Sequence, residues 1–279
     1  METKLSVRNL VEFLMQDGDI NSGFTTVDRA LLGSRIHRKL QKSGGDGYES
    51  EVFLSYTCST AGICITVEGR ADGIITIDGD ATIDEIKTTN QDLATIEEDA
   101  NRAYWGQAKC YAFMYAEKCA LPSINVQLTY YQIDTDEIKR FNKTYTREEL
   151  TEFYQNLLKE YSKWLNMQKT WEETRQESAR NLKFPFPQYR EGQHHLAAAV
   201  YKTIRGGKKL YCMAPTGIGK TMSTLFPAIK SIGEDLSQKV FYLTAKTTTR
   251  KAAEGAISIM DRYENIRLGV FGGSTTCGK

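Results

Sequence analysis

Apolar positions recur with two different periods along the first half of the chain. Around Thr26 to Gln41 the spacing of Val27, Ala30, Leu31 and Ser34 predicts an amphipathic helix, and that helix carries His37. Runs rich in Ile, Val, Thr and Tyr near 50–57, 62–68, 72–77 and 82–87 predict strands. A helix follows over about 98–119, then a strand near 124–133. Thr146-Arg147-Glu148-Glu149 has the form of a capping box and opens a long polar helix, whose Leu150, Phe153, Leu157, Leu158, Tyr161, Trp164, Leu165 and Trp171 make a packing stripe. Phe184-Pro185-Phe186-Pro187 marks a boundary, because proline disfavours helix at its own position and at the one before. Beyond it, Lys209–Met213 and Val240–Leu243 read as strands. The pattern predicts an α/β protein in three parts: a domain over 1–145, a connecting helix over 146–183 and a further domain over 184–279.

Charge divides the chain in the same way. Net charge is +1 over 279 residues, yet residues 1–182 carry 21 Lys/Arg against 29 Asp/Glu, and residues 183–279 carry 15 against 6. The basic part suits a phosphate-binding surface. The acidic part argues against a broad DNA-binding face on the first domain. No run reaches the ~20 apolar residues needed to span a bilayer, and the opening Met1-Glu2-Thr3-Lys4 leads into an amphipathic run with Val7, Leu10, Val11 and Leu14 rather than a secretory signal. Six cysteines show no C-x-x-C spacing, so a zinc site is not expected. A cytoplasmic protein with reduced thiols is the expectation. Oligomeric state is open.

The densest chemistry lies between Gly69 and Lys87. Asp78-Gly79 separates two β-rich runs, and both positions of a type I′ turn need positive φ. With those two residues as the loop, Ile77 pairs with Asp80, and counting outward sets Asp72 opposite Glu85. Facing residues on one side of an antiparallel pair have Cβ atoms ~5 Å apart, where like charges repel. Lys87, two residues past Glu85, points to the same face. Asp84, although adjacent in sequence, points to the other. Two acids and an amine around one spot fit a divalent-metal site that cuts phosphodiesters.

The order of these residues resembles the RecB-like branch of the PD-(D/E)XK nucleases over roughly residues 5–145. The helix histidine is matched by His37, the acid after a glycine-containing strand by Asp72, the E-x-K motif by Glu85-Ile86-Lys87 and the Q-x-x-x-Y motif by Gln107-Ala108-Lys109-Cys110-Tyr111. By that resemblance Asp72, Glu85, the Ile86 carbonyl and His37 ligate Mg²⁺ or Mn²⁺, Lys87 orients or deprotonates the attacking water, and Gln107 and Tyr111 position Lys87 or a DNA phosphate.

A second motif follows the proline boundary. Ala214-Pro215-Thr216-Gly217-Ile218-Gly219-Lys220-Thr221 is a Walker A loop with alanine in place of the opening glycine. Its glycines let backbone N–H groups wrap phosphates, Lys220 reaches the β- and γ-phosphates of ATP, and Thr221 takes Mg²⁺. With Arg190-Glu191-Gly192-Gln193 ahead of it and Thr244-Ala245-Lys246-Thr247-Thr248-Thr249-Arg250 behind, this part resembles the start of an XPD/DinG-type superfamily 2 DNA helicase. In that resemblance Arg190 and Gln193 read adenine, and Thr216, Gly217, Gly219, Lys220 and Thr221 hold the phosphates. No acidic Walker B run lies between Lys246 and Lys279, so helicase activity is not expected from these residues alone. Some relatives carry an iron–sulfur cluster on four cysteines, and only Cys277 stands where the first would fall, so a cluster is expected only in a longer form. The reading is a nuclease joined to an incomplete P-loop (RecA-like) helicase domain, acting on DNA ends or single strands. Two alternatives stand beside it: a silent nuclease fold that grips DNA for a helicase, and a nonproductive N-terminal fragment.

Overall fold

In the computed structural model, residues 2–15, 27–60, 62–245, 247–264 and 266–269 are described. Thr26, Lys246 and Cys277, named above, lie outside them. The chain divides into two compact units, Met1–Leu165 and Asn166–Lys279.

The first unit is built on one mixed sheet. In chain order its elements are β1 (Glu2–Ser6), α1 (Val7–Met15), α2 (Val27–Ser43), β2 (Tyr48–Thr60), β3 (Ile63–Ile77), β4 (Asp80–Thr89), α3 (Arg102–Cys119), β5 (Ser123–Gln132), β6 (Ile138–Thr146) and the start of α4 (Arg147–Asn181). β2 and β4 pair antiparallel to β3, β1 pairs parallel to β3, β4 pairs parallel to β5, and β6 runs antiparallel to β5. The expected strands 62–68 and 72–77 are one continuous strand, β3. Gly69, Arg70 and Ala71, between the two expected runs, stay in the ladder, because β2 pairs along almost its whole length. The opening segment splits into β1 and α1 where a single amphipathic run was expected. Val7, Leu10 and Val11 of α1 are buried against α3 and the sheet.

Local chemistry accounts for the connections. Asp78 and Gly79 have φ of 51° and 93°, and Ile77 pairs with Asp80. Asn101 caps α3 by accepting from the N–H groups of Ala103 and Tyr104. Thr146 N–H donates to Glu149 Oε2 at 2.8 Å while Glu149 N–H donates to Thr146 Oγ1 at 3.2 Å, a reciprocal cap that starts α4. The main core joins α1, α3 and α4 through Leu10, Ile65, Ile83, Phe113, Leu128 and Tyr154. Phe113 stacks on Tyr154 at 4.2 Å. A smaller core of Ile36, Leu40, Ile86 and Tyr131 fixes α2 to the sheet.

β3 changes partners along one edge. Cys64–Glu68 pair with β1 and Gly73–Ile77 pair with β4, which leaves Gly69–Asp72 without a strand neighbour on that side. On the opposite edge the ladder to β2 skips one pair, Glu51 with Asp72, and Glu51 has the left-handed φ of 55°. Asp72 thus sits at a gap in the sheet.

Among its described residues the second unit is helical: the latter part of α4, α5 (Gln193–Arg205), α6 (Lys220–Gly233) and α7 (Thr247–Glu264). Leu182, Met222, Leu225, Ile229, Ile232 and Met260 form its core. The strands expected at Lys209–Met213 and Val240–Leu243 are not formed. Tyr211, Met213, Phe241 and Leu243 are 80% or more exposed. A strand exists only where its N–H and C=O groups meet a neighbouring strand, and among the described residues neither run has one. Across the described residues no helix is long and apolar enough to cross a membrane.

Candidate active site

The gap in β3 is where the predicted residues of the first unit meet. Extrapolating the β3–β4 register beyond Gly73–Asp84 would set Asp72 against Glu85, but the strands part there. Asp72 turns its carboxylate along β4 and accepts the Ile86 N–H on Oδ2 at 2.8 Å. That contact uses an amide the broken ladder leaves over. His37, from α2, brings Nδ1 to 3.4 Å from Asp72 Oδ1. Its imidazole is held above the usual histidine range, chiefly by the hydrogen bond to Asp72, against the cost of burial. Gln41, one turn further along α2, donates to the Asp72 carbonyl at 2.9 Å.

Glu85 is 1% exposed. Its Oε1 accepts from Lys87 Nζ at 2.7 Å, and its Oε2 has no hydrogen-bond partner. Burial pushes this carboxyl up to about 7, with Asp72 adding to the shift and Lys87 opposing it. For Lys87 burial works the other way, lowering the amine, but the charge and hydrogen bond of Glu85 outweigh it and the net direction is upward. α3 closes over this pair. Gln107 Oε1 lies 3.4 Å from Lys87 Nζ, and the Tyr104 ring centroid lies 4.7 Å from the same nitrogen. Tyr111 is buried one turn beyond Gln107, hydrogen-bonded to it, and its phenol is driven upward by burial. An added Cβ on Gly69 would fall 2.6 Å from the Tyr111 hydroxyl, so β3 needs glycine where α3 lies on it.

The sequence pattern did not identify Tyr104, although it stands three residues before Gln107 on the same helix face. Asp84 lies on the other face of β4, as strand alternation requires. It is buried and accepts from Tyr48 Oη at 3.0 Å, Gln127 Nε2 at 2.9 Å and Thr129 Oγ1 at 2.5 Å.

A hard divalent cation suits this donor set. A buried carboxylate oxygen without a partner is uncommon in folded proteins, and carboxylate and carbonyl oxygens are the usual ligands of Mg²⁺ and Mn²⁺. Among the described residues no three His, Cys, Asp or Glu side chains converge closely enough to hold an ion by themselves. The Ile86 carbonyl and oxygens of a substrate or water would complete the shell.

In the second unit, residues far apart in sequence also meet. Gly219, with φ of 83°, precedes Lys220 at the start of α6, and Gly217 has φ of 87°. Arg190 Nη1 donates to the Gly217 carbonyl at 2.7 Å, and Arg190 N–H donates to Gln193 Oε1 at 2.9 Å. Gln193 is buried with its amide against Gly219, where an added Cβ would meet Nε2 at 2.5 Å. Lys220 Nζ donates to the carbonyls of Ala214 and Pro215. Thr216 and Thr221 lie in the same loop and at the helix start.

The family model for the PD-(D/E)XK nuclease superfamily matches residues 26–194, which include His37, Asp72, Glu85, Lys87, Gln107 and Tyr111. The chain belongs to that superfamily. A probable ATP-dependent helicase of Methanocaldococcus jannaschii is 43% identical over 47 residues, 17% of this chain and 7% of the helicase. The chain therefore matches less than a tenth of that relative's length. The crystal structure of SSO0001 is similar over 56% of this chain and 74% of its own, at 19% identity and a TM-score of 0.38. Members of the superfamily are nucleases, and the mixed α/β sheet of this chain agrees with that membership.

Proposed function

We propose that the first unit is a metal-dependent deoxyribonuclease of RecB-like type, joined to the nucleotide-binding start of an XPD/DinG-type helicase. The observation that carries the reading is the buried Glu85 Oε2, unpartnered beside Lys87 and within the cluster that contains Asp72 and His37.

Asp72, Glu85, the Ile86 carbonyl and His37 would hold Mg²⁺ or Mn²⁺. Such an ion supplies stabilisation of the negative charge that grows on the scissile phosphate. The remaining work belongs to the protein. Lys87, held as an ammonium, orients the attacking water through its N–H groups, and the water's proton passes to solvent or to a phosphate oxygen. Gln107 and the Tyr104 ring keep the amine at that position, and Tyr111 keeps Gln107 in place. Glu85 holds the amine through Oε1 and would offer Oε2 to the cation.

In the second unit the Walker A loop and the Arg190–Gln193 element are read as a site for ATP. Glycines in left-handed conformations leave backbone N–H groups free to face phosphate, and Lys220 gives a mobile charge. The short stretch of identity with the probable ATP-dependent helicase of Methanocaldococcus jannaschii supports a helicase relationship for part of this chain. The cellular role that fits both units is the processing of DNA ends or single strands during repair or recombination, in the cytoplasm.

The deciding experiment is cleavage of end-labelled single-stranded DNA with Mg²⁺ or Mn²⁺ by the wild type, Asp72→Ala and Lys87→Ala. Metal-dependent cutting lost in both variants is expected, and the product ladder gives polarity. Folded wild type that binds DNA without cutting it would replace the nuclease reading with that of a DNA-gripping module.

A further inference from the structure

Helix α2 carries five Lys/Arg and a single Asp within Val27–Ser43. The whole first unit, residues 1–165, has 18 Lys/Arg against 26 Asp/Glu, so this helix is basic where the unit as a whole is acidic. Ile36 and Leu40 turn α2 toward the sheet. Arg35, Arg38 and Lys42, spaced i, i+3, i+7, fall on the opposite, exposed face.

Many cations elsewhere in the unit are occupied, and those without an ion pair among the described residues, such as Lys118, Arg140 and Lys159, lie singly on α3, β6 and α4. Lys4 pairs with Glu68, Arg8 with Glu12 and Lys143 with Asp99, and Lys139 donates to the Leu93 and Ile96 carbonyls. On α2 itself Lys39 is held by the Tyr131 hydroxyl at 3.0 Å and lies 3.5 Å from Asp136. Arg35, Arg38 and Lys42 make no ion pair among the described residues. Three like charges left unneutralised on one helix face repel each other, and the acidic body supplies them with no counter-charge. They are disposed to meet an external polyanion. The seven residue steps from Arg35 to Lys42 rise about 10 Å, close to three phosphate-to-phosphate steps along one strand at about 3.4 Å each.

We propose that Arg35, Arg38 and Lys42 form a phosphate track on α2 that holds the backbone of substrate DNA while the same helix presents His37 to the cluster at Asp72. This rests on the nuclease reading for the identity of the polymer. It gives the acidic first unit a local attraction for DNA that its overall charge denies it. The contact is with phosphates, so it carries affinity without sequence preference.

The test is binding rather than cutting, which separates it from the nuclease reading. Asp72→Ala protein in EDTA is titrated with labelled single-stranded DNA over a range of salt. It is compared with the same protein carrying Arg35→Gln, Arg38→Gln and Lys42→Gln. Each lost phosphate contact should lower the slope of log K against log salt by about 0.7, so a fall of about 2 and at least ~10-fold weaker binding near 0.1 M salt are expected. Arg35→Lys with Arg38→Lys should keep the slope. An unchanged slope in a folded triple variant, or no binding by the parent at low salt, would overturn the track. Tighter binding of an RNA of the same sequence would overturn DNA as its partner. Absence of cleavage by the wild type would count against the nuclease reading, while the salt slope would still decide whether the track holds phosphates.

Discussion

The Asp72 carboxylate accepts the backbone N–H of Ile86 at 2.8 Å, across the place where β3 and β4 stop pairing. One side chain therefore replaces a missing ladder bond and stands beside Glu85 and His37. Structural and chemical roles can be separated by substitution. Asp72→Asn keeps an oxygen that can accept from Ile86, and should lose at least ~100-fold in cleavage with little change in stability. Asp72→Ala should lose the same activity and also about 1–3 kcal/mol of stability, the cost of an orphaned buried amide. Equal thermal stability of the two variants would show that the contact contributes nothing to the fold.

The hairpin and its register were legible because turn chemistry and a period of two are local properties. Asp78-Gly79 set the turn, the turn set Ile77 opposite Asp80, and alternation separated Glu85 from Asp84. The parting of the strands at Asp72 was not legible. It depends on β1 (Glu2–Ser6), far ahead of the hairpin in the chain, taking over the edge of β3 at Cys64–Glu68. Tyr104 was missed for a related reason, since an aromatic on a helix reads as core until Lys87 is known to lie beneath it. In the second unit the phosphate-loop pattern has glycines at 217 and 219, and both take left-handed conformations. The neighbouring apolar runs do not make the strands that pattern implies, because pairing is a property of two segments and period of only one.

Gly69 and Tyr111 make a second separable pair. Gly69→Ala places a methyl group 2.6 Å from the Tyr111 hydroxyl and 3.1 Å from its ring, so the phenol must move. A loss of about 1–3 kcal/mol is expected, typical of overpacking, together with a fall in cleavage as Gln107 loses its partner. Removing the hydroxyl in Gly69→Ala/Tyr111→Phe should recover stability but not activity. Recovery of both, read from thermal melts and single-turnover rates, would rule out a part for the Tyr111 hydroxyl in the site.

Lys220 offers a test confined to the second unit. Its amine rests on the Ala214 and Pro215 carbonyls at the exposed loop. Lys220→Ala should leave the melting profile nearly unchanged and weaken ATP binding at least ~10-fold, as expected for a lost charge-assisted contact to phosphate. Calorimetric titration of ATP into both proteins decides it. Identical affinities would remove the Walker assignment while leaving the nuclease site untouched.

The last relationship is between pH, the ion and the fold. Glu85 is raised by burial to about 7 in the folded chain, above its ordinary value of 4.5, and His37 is raised above 6.5, chiefly through its hydrogen bond to Asp72. A raised folded value means that the native state binds protons more tightly than the unfolded one, so both groups add stability that is complete at low pH. That stability is lost as pH rises through the folded values. Lys87 is raised as well, but its contribution is lost only above its ordinary 10.5 and does not enter this window. Without divalent metal, the fold should therefore weaken between about pH 5 and pH 8, with Glu85 accounting for at most about 3 kcal/mol. Saturating Mn²⁺ should remove most of this slope, since a cation on Glu85 takes the place of its proton and binding to the native state adds stability. Thermal melts at pH 5, 6.5 and 8 with EDTA or Mn²⁺ provide the comparison. Equal pH slopes in the two series would mean that Glu85 does not hold the ion, whatever the enzyme proves able to cut.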